Sequence, residues 1–480
     1  RWKRVTGVQT CALPISQSTG SVFGSAPPIA QQTYGGGAWD GFAAKFTTNG
    51  GLRTWGTYCG GTGTDLVQEV ASDQNGNVFV VGTTSSGGMA TVGAYDVSLN
   101  GTEDAFYRSY PPTGASLLYG TYYGGDGADG GYGIKVAGKA VYICGQTNST
   151  NAIGTAGTHQ QFHQGGLEAF MAKFTGATRN WGTYYGGDQD EVAYSLALIG
   201  CGKPTMVGFT TSDDLIAFGS TPHQAVYGGG QDGFIAEFNP ANGAILFGTY
   251  YGGEDADNCH AIIASGTDLV YVTGQTYSTT PVNAIASPGS WQTLNGGLAD
   301  GWFARFNTVG GRVWGSYYGG TGHDWSYALS TGPATGNVTI AGGTFSPNAI
   351  ASAGCYDLIL GAQTEGFYAT FDGPAPTPCP SGMMLEPSAR TTEGGLETMI
   401  FPVPFTDAFT IHTTLNAEAD AFLRLVDLTG RTVLEQRLGR LMPGGNLTQV
   451  QCPALADGMY TWVLRVGDAI STGTVIRSGK

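Results

Sequence analysis

Short segments in which apolar side chains lie on both faces of a strand recur along the chain. In the segment 232–238, Phe234, Ala236 and Phe238 share one face, because successive side chains of a strand point to opposite sides. The segment 270–276 carries valines on one face and a tyrosine on the other. No long stretch shows the apolar spacing of an amphipathic helix. The pattern predicts an all-β chain whose strands are covered on both faces.

Two motifs recur at a nearly constant spacing. The first reads aromatic-Gly-Thr-Tyr-Tyr-Gly-Gly, with single replacements in two copies, and occupies residues 55–61, 119–125, 181–187, 247–253 and 314–320. The second is an acid followed by alternating apolar residues, at 40–46, 104–110, 168–174, 232–238, 300–306 and 365–371, with spacings of 64, 64, 64, 68 and 65 residues. This period exceeds that of ankyrin, tetratricopeptide or leucine-rich repeats and accommodates four short strands. Small sheets stacked radially cover one another, so the repeat predicts a β-propeller.

The phase of the motifs predicts the number of blades. If each blade runs from the first motif to the second, five complete four-stranded blades of about 64 residues occupy 55–110, 119–174, 181–238, 247–306 and 314–371. Residues 17–46 then form the end of an earlier, partial blade, and we expect a propeller that lacks its N-terminal part. Residues 1–16 match no repeat, and we interpret them as a non-native segment of the kind that adapter read-through produces.

Three strand motifs repeated in order resemble a bacterial β-propeller repeat family. They are D-x-F-x-A-x-[FY], [WFY]-G-T-Y-Y-G-G and V-Y-V-T-G-x-T, and the resemblance covers residues 17–371. It implies a propeller fold and implies no enzyme activity.

The composition changes after residue 371. Residues 372–397 include the Pro-rich stretch 373–382 and predict an extended linker. Residues 17–371 carry 10 basic and 25 acidic side chains, whereas residues 401–480 carry seven of each. Short apolar segments joined by Gly, Pro and Asp turns predict that residues 398–480 form a small immunoglobulin-like β-sandwich.

Four ordered motifs in this last domain resemble the C-terminal sorting domain of the type IX secretion system of Bacteroidetes. They are Phe-Pro-Val-Pro-Phe at 401–405, Leu-Val-Asp-Leu-Thr-Gly-Arg-Thr-Val at 425–433, Leu-Ala-Asp-Gly-Met-Tyr at 455–460 and the basic end 477–480. The resemblance implies passage across the outer membrane, cleavage of the domain, and release or attachment to the cell surface. It implies that the secretion machinery is a partner and reads a sorting signal at Pro404, Phe405, Asp427, Gly430, Arg431, Gly458, Tyr460, Arg477 and Lys480. The glycines also suit turns, and Asp427 also suits a turn cap.

The recurrence of polar residues argues against catalysis by them, because a catalytic site is normally unique. The acids that open the second motif are therefore predicted to hold turns or strand ends: Asp40, Asp104, Glu168, Asp232, Asp300 and Glu365. His159 and His223 occupy a recurring position of bulky side chains and are predicted to pack. His163, His260 and His323 do not recur, but the sequence places no partner beside them. We predict no catalytic residues, and the ligand-binding residues stay unknown.

Cysteines and acidic turns are the candidates for metal or redox chemistry. The seven cysteines after residue 16 are scattered, and no CxxC pair or Cys/His cluster indicates zinc. The acidic turns offer oxygen ligands of the kind that calcium prefers, at Asp65, Asp126, Asp129, Asp188, Asp190, Glu191, Glu254, Asp255, Asp257 and Asp324. None fits the EF-hand loop. We predict no cofactor and no metal, with calcium as the alternative.

Net charge and hydropathy limit the kinds of partner that the chain is predicted to bind. A net charge of −15 argues against nucleic acid and anionic membranes, and no apolar stretch approaches the length of a transmembrane helix. Three function classes remain. The first is a secreted or surface-displayed, non-catalytic propeller that binds an extracellular protein or glycan. The others are an extracellular glycoside hydrolase or lyase, which would need a unique carboxylate pair, and a lectin-like propeller.

Overall fold

The computed structural model describes residues 12–18, 29–47, 53–200, 202–220, 222–280, 284–332, 337–352, 360–361, 364–374, 397–401, 407–415, 417–427, 431–452, 455–456, 458–467 and 469–477. In these ranges the chain is all-β, as predicted. It divides into two compact units, residues 1–385 and 386–480. Most of the predicted linker lies outside the described residues.

Six antiparallel sheets follow one another in the first unit. The first has three strands, β1 Ala12–Ser18, β2 Asp40–Phe46 and β3 Arg53–Cys59. The second contains β4 Asp65–Ser72, β5 Val78–Thr84, β6 Asp104–Tyr110 and β7 Tyr119–Tyr123. The third contains β8 Asp129–Ala137, β9 Ala140–Thr147, β10 Glu168–Thr175 and β11 Thr178–Tyr185.

The remaining three sheets repeat the same plan. The fourth contains β12 Glu191–Ile199, β13 Lys203–Thr210, β14 Asp232–Phe238 and β15 Ile245–Tyr251. The fifth contains β16 Asp257–Ser265, β17 Leu269–Thr276, β18 Asp300–Phe306 and β19 Arg312–Tyr318. The sixth has three strands, β20 Asp324–Thr331, β21 Val338–Thr344 and β22 Glu365–Phe371.

The strand pairing corrects the predicted phase of the blades. The aromatic-Gly-Thr-Tyr-Tyr strand is the last strand of a sheet rather than its first, because a short turn pairs it with the acid-led strand before it. Four sheets are therefore four-stranded, and two are three-stranded in the described residues. Strand β1 pairs with β2 although most of it lies in the segment 1–16 that we set aside.

The sheets are arranged as the blades of a propeller. The first strands of successive sheets contact one another, β4 with β8, β8 with β12, β12 with β16 and β16 with β20. They are thus the innermost strands. Hydrophobic clusters include residues of neighbouring sheets, so each sheet covers the next.

At four of the five junctions a tyrosine hydroxyl ties one sheet to the next. The second tyrosine of the aromatic-Gly-Thr-Tyr-Tyr strand is buried, and its hydroxyl donates to a main-chain carbonyl in a loop of the following sheet. We call this contact the junction hydrogen bond. It joins Tyr123 to Ile153 (2.9 Å), Tyr185 to Ile216 (2.6 Å), Tyr251 to Ile285 (2.7 Å) and Tyr318 to Ile350 (2.7 Å). The repeated motif is therefore a device that holds neighbouring blades together.

The second unit contains two sheets. One has the order β23, β24, β27 and the other the order β26, β25, β28, β29. The strands are β23 Glu397–Phe401, β24 Ala408–Leu415, β25 Ala419–Val426, β26 Thr432–Leu441, β27 Gly444–Gln451, β28 Gly458–Val466 and β29 Ala469–Arg477. Phe409 and Ile411 of one sheet share a core with Leu423 and Leu464 of the other. The two sheets thus pack as a small sandwich, and its immunoglobulin-like topology stays a prediction.

Candidate functional site

The acids that open the third strands hold loops, which is the role that their recurrence predicts. Each accepts a hydrogen bond from a main-chain N–H four or five residues upstream. Asp40, Asp104, Glu168, Asp232 and Asp300 are fully buried, and Glu365 is half-buried. A second set of buried acids opens the first strands and accepts from the second glycine of each Gly-Gly pair: Asp65, Asp129, Glu191, Asp257 and Asp324. Both sets belong to the scaffold.

The recurring histidines pack against aromatic rings. The His159 ring lies 4.5 Å from the ring of Phe218 and 5.8 Å from that of Tyr185. The His223 ring lies 5.7 Å from Tyr251. Burial lowers the pKa of both imidazoles to about 4, so both are neutral at physiological pH.

One position has the same backbone geometry in five sheets, but the side chain found there differs from sheet to sheet. Each first strand has a β-bulge, where two of its residues face one residue of the second strand. The extra residue is the third after the buried first-strand acid. It is Gln68, Tyr132, Tyr194, His260 and Tyr327 in successive sheets. We call these five residues the axial arc, because they lie on the innermost strands.

A glycine opposite each bulge makes the arc possible. The bulge brings a first-strand carbonyl against the second strand, and a Cβ there would overlap that oxygen. At Gly274 the carbonyl is that of Asn258, and at Gly208 it is that of Val192. The other three glycines are Gly82, Gly145 and Gly342. The glycine of the V-Y-V-T-G-x-T motif is thus required by the bulge.

The four ring-bearing residues of the arc contact one another from sheet to sheet. Ring centroids are 6.2 Å apart for Tyr132 and Tyr194, 5.6 Å for Tyr194 and His260, and 4.9 Å for His260 and Tyr327. Four arc residues are half-buried, and Tyr327 is 40% exposed. Burial, followed by the charge of Glu103, raises the pKa of Tyr132 to about 12, so its hydroxyl stays a hydrogen-bond donor.

The aromatic surface continues on the sixth sheet. The Trp325 ring lies 6.2 Å from Tyr327 and 5.4 Å from Phe345, which is 39% exposed. The arc therefore offers ring faces together with phenol, imidazole and amide groups. Aromatic faces stack on planar or apolar ligand surfaces, and the polar groups fix a ligand's orientation. The sequence reasoning missed this site, although the third position after each first-strand acid would have revealed it.

The acidic turns are mostly tied to the main chain. The Asp126 carboxylate accepts from the N–H and hydroxyl of Thr150, and Glu254 accepts from Thr280 N–H. In the fourth sheet two acids replace the residues equivalent to Thr150 and Asn151. The result is a group of exposed carboxylates within 4.8 Å of one another, Asp188, Asp213 and Asp214, the one group of this kind in the described ranges.

The described cysteines carry no disulfide with one another. Cys59, Cys144, Cys259 and Cys452 are all buried. Burial raises the pKa of the Cys59 and Cys259 thiols, so these groups are unreactive packing residues.

The predicted sorting residues divide into described and undescribed ones. Asp427 caps the turn between β25 and β26, where it accepts from the N–H and Nε of Arg431 at 3.0 and 3.2 Å. The buried Tyr460 donates to the carbonyl of Ala456 at 2.6 Å, and Arg477 lies 3.7 Å from Asp407. Gly458 has a φ of 153°, which favours glycine. Pro404, Phe405, Gly430 and Lys480 lie outside the described residues. The described residues come together at one end of the four-stranded sheet, where Gly458 pairs with Arg477 and Val426, next to Asp427, pairs with Thr461, next to Tyr460.

Comparison with known proteins supports both domains. The family described as "Secretion system C-terminal sorting domain" matches residues 399–477, and the family described as "Beta-propeller repeat" matches residues 54–88. No curated protein sequence matches the chain. In the described residues no helix has the length and apolar character needed to cross a membrane.

Solved structures with similar folds are distant from this chain. Hydrazine synthase of Kuenenia stuttgartiensis is 11% identical, with 68% of this chain and 78% of that chain covered and a TM-score of 0.35. PorZ, a surface component of the type IX secretion system of Porphyromonas gingivalis, is 14% identical, with 92% and 50% covered and a TM-score of 0.30. An arabinoxylan arabinofuranohydrolase of Bacillus subtilis is 10% identical, with 85% and 93% covered and a TM-score of 0.25.

At these scores the three structures carry no inference about activity. The family matches and the strand order do carry a conclusion. The chain carries a β-propeller of the bacterial β-propeller repeat type and the C-terminal sorting domain of the type IX secretion system, which exports it to the cell surface or the extracellular space.

Proposed function

We propose that the exported propeller is a non-catalytic binding module and that the axial arc contacts its ligand. One observation carries this proposal: the bulge presents a side chain at the same place in five sheets, but the identity of that side chain changes from sheet to sheet. A position that served only the scaffold would keep its chemistry, as the junction tyrosines do in four of five junctions. The changing identities are those expected of a surface adapted to one ligand.

The chemistry of the arc favours a glycan. Sugar rings present C–H faces that stack on tyrosine and tryptophan, and their hydroxyls hydrogen-bond to phenol, imidazole and amide groups. The arc offers both kinds of contact at Tyr132, Tyr194, His260, Tyr327 and the adjoining Trp325. The lectin-like alternative is thereby a specific form of the binding-module proposal.

A glycan array probed with the purified whole protein tests this proposal. We expect retention of a glycan by the wild type and a loss of about fivefold in affinity for Tyr194→Ala or Tyr327→Ala, since stacking on one ring is worth roughly 1 kcal/mol. Tyr368→Ala is the matched control, because Tyr368 is 76% exposed and lies outside the arc. A glycan bound equally by the arc variants contradicts the role of the arc.

The absence of catalysis is tested separately. Polysaccharides incubated with the protein are assayed for newly released reducing ends or unsaturated products. Turnover that survives purification would favour the hydrolase or lyase alternative. The buried acids are poor candidates for such chemistry, because they recur in every sheet and their oxygens accept main-chain hydrogen bonds.

A further inference from the structure

Two buried carboxyl groups meet at each junction between successive sheets. At the junction of the fourth and fifth sheets these are Asp232, which opens β14, and Asp257, which opens β16. An oxygen of each, Oδ1 of Asp232 and Oδ2 of Asp257, lies within 3 Å of the position that a Cβ on Gly252 would take. The two carboxyl groups therefore converge on the space beside the Cα of Gly252. Both residues are fully buried.

The hydrogen bonds at this pair involve Oδ2 of each acid and leave the buried Oδ1 of Asp232 and of Asp257 without a partner among the described atoms. Asp232 Oδ2 accepts from Gly228 N–H at 2.8 Å and from Gln224 Nε2 at 2.9 Å. Asp257 Oδ2 accepts from Gly253 N–H at 2.6 Å and from the Ser278 hydroxyl at 2.8 Å. Asp232 Oδ1 is buried and has no hydrogen-bond partner among the described atoms. A carboxylate oxygen left in this state is costly, whereas a protonated oxygen can donate to the facing carboxylate.

The same arrangement recurs at the next junction. Asp300 Oδ2 accepts from Gly296 N–H and Gln292 Nε2, and its Oδ1 is buried without a partner among the described atoms. That Oδ1 lies within 3 Å of a Cβ placed on Gly319. The facing acid is Asp324, which accepts from Gly320 N–H at 2.7 Å and the Ser346 hydroxyl at 2.6 Å. Because the arrangement occurs at both junctions, it is a feature of the repeat and not of one particular loop.

We propose that the facing carboxyl groups at the sheet junctions share one proton per pair, and that loss of this proton weakens the contact between successive sheets. The proton sits on one acid of the pair and is donated to the carboxylate of the other. When it leaves, two anions remain in a fully buried site, which is unfavourable. The carboxyl pairs thus contribute most to the contact between blades below neutral pH.

The groups around the pair reinforce this direction. The titratable side chains that interact electrostatically with Asp232 or Asp257 are all neutral or anionic: Tyr227, Tyr250, Tyr251, Glu254, Cys259 and Tyr317. Burial raises the pKa of Asp232 to about 7, and the charge of Asp257 adds to the rise. Burial raises the pKa of Asp300 to about 7 in the same way. A folded-state pKa above the unfolded value means that stability is full at low pH and is lost as the pH rises through about 7.

The melting temperature of the whole protein between about pH 4.5 and about pH 7.5 tests the proposal, because this range lies between the unfolded and folded pKa values of the two acids. We expect it to fall with rising pH in the wild type and to fall less in Asp232→Asn, because the Asn amide donates to Asp257 as the shared proton does. Asp300→Asn should reduce the dependence again, and the double variant should combine the two effects, since distant sites add. Asp255→Asn, an exposed acid of the same loop, is the control and should leave the dependence unchanged.

Two results would overturn the proposal. One is an Asn variant whose melting temperature drops by the same amount at every pH, which indicates that the carboxylate itself is needed. The other is a wild-type melting temperature that falls on addition of a chelator, which indicates a bound cation between the carboxylates. If the Asn variants do not fold, infrared spectroscopy of the wild type decides. The carbonyl band of protonated carboxylic acids should be present in the folded protein near neutral pH and disappear on unfolding, and its absence from the folded protein contradicts the shared proton.

Discussion

Arg108 donates from Nε to the main-chain carbonyl of Met89, 2.9 Å away, at the junction between the first two sheets. At the other junctions a tyrosine hydroxyl makes the equivalent contact with an isoleucine carbonyl. Here Cys59 stands in place of that tyrosine, and Arg108 stands where the following sheets have alanine. The long arginine side chain fills the space that the missing ring leaves, and one Arg108 Nη lies 3.9 Å from Cys59 Sγ. The two replacements therefore compensate each other across the junction.

The compensation predicts the outcome of a double-mutant cycle. Arg108→Ala alone should lower the free energy of unfolding by about 2 kcal/mol, because it removes a charge-assisted hydrogen bond and leaves the buried Met89 carbonyl without its donor. Cys59→Tyr alone should also destabilise, because Arg108 occupies the space. The double variant should recover much of the loss, as measured by urea unfolding. If the losses of the two single variants simply add in the double variant, the two replacements do not compensate each other. Tyr185→Phe is the control, because it removes the corresponding hydrogen bond at a junction that has the tyrosine.

The glycine opposite a bulge should tolerate no side chain. Gly274→Ala is expected to destabilise the protein by about 3 kcal/mol or more, because its Cβ would overlap the Asn258 carbonyl oxygen. Gly87→Ala is the control, since no atom lies within 4 Å of a Cβ at that position. Thermal unfolding followed by circular dichroism compares the two. Equal melting temperatures for the two variants would show that the bulge can rearrange at little cost.

The buried His159 should make the propeller sensitive to acid. Burial lowers the pKa of the His159 imidazole from 6.5 to about 4, so its contribution to stability is present above about pH 6.5 and is lost as the pH falls towards 4. His159→Phe cannot acquire this charge, and Tyr95 shows that an aromatic ring fits the equivalent position. The variant should be more stable than the wild type by about 1 to 2 kcal/mol near pH 5, with little difference near pH 8. A difference of the same size at both pH values would point to packing alone.

The exposed acids of the fourth sheet should repel one another. Asp213→Thr combined with Asp214→Asn restores the residues found beside Asp126, and we expect a gain of about 0.5 kcal/mol in the free energy of unfolding. Since we propose no resident metal, added calcium or EDTA should leave the wild-type melting temperature unchanged. If calcium instead raises the melting temperature of the wild type but not of the variant, these carboxylates bind the ion and the calcium alternative holds.

The fold could be predicted from the sequence because the repeat carries it. The two motifs predict strands. Their regular spacing predicts small sheets that stack on one another, since each sheet must cover the faces of its neighbours. The boundaries of the blades could not be read in the same way. Which strand pairs with which depends on turn length, and the short turn between Phe306 and Arg312 decides that these strands are neighbours in one sheet. The predicted phase was wrong for this reason.

The sequence by itself determined the strand content, the repeating scaffold, the loop-holding role of the recurring acids and the sorting domain, because each follows from local patterns or from repeated motifs. Only the tertiary structure decided what depends on contacts between sheets. Residues about 60 positions apart, such as Tyr132 and Tyr194, come together at the axis because the bulges bring them there. Asp232 and Asp257, Arg108 and Cys59 likewise meet only when one sheet packs on the next. Local patterns specify strands, but the meeting of side chains from different strands is specified by packing.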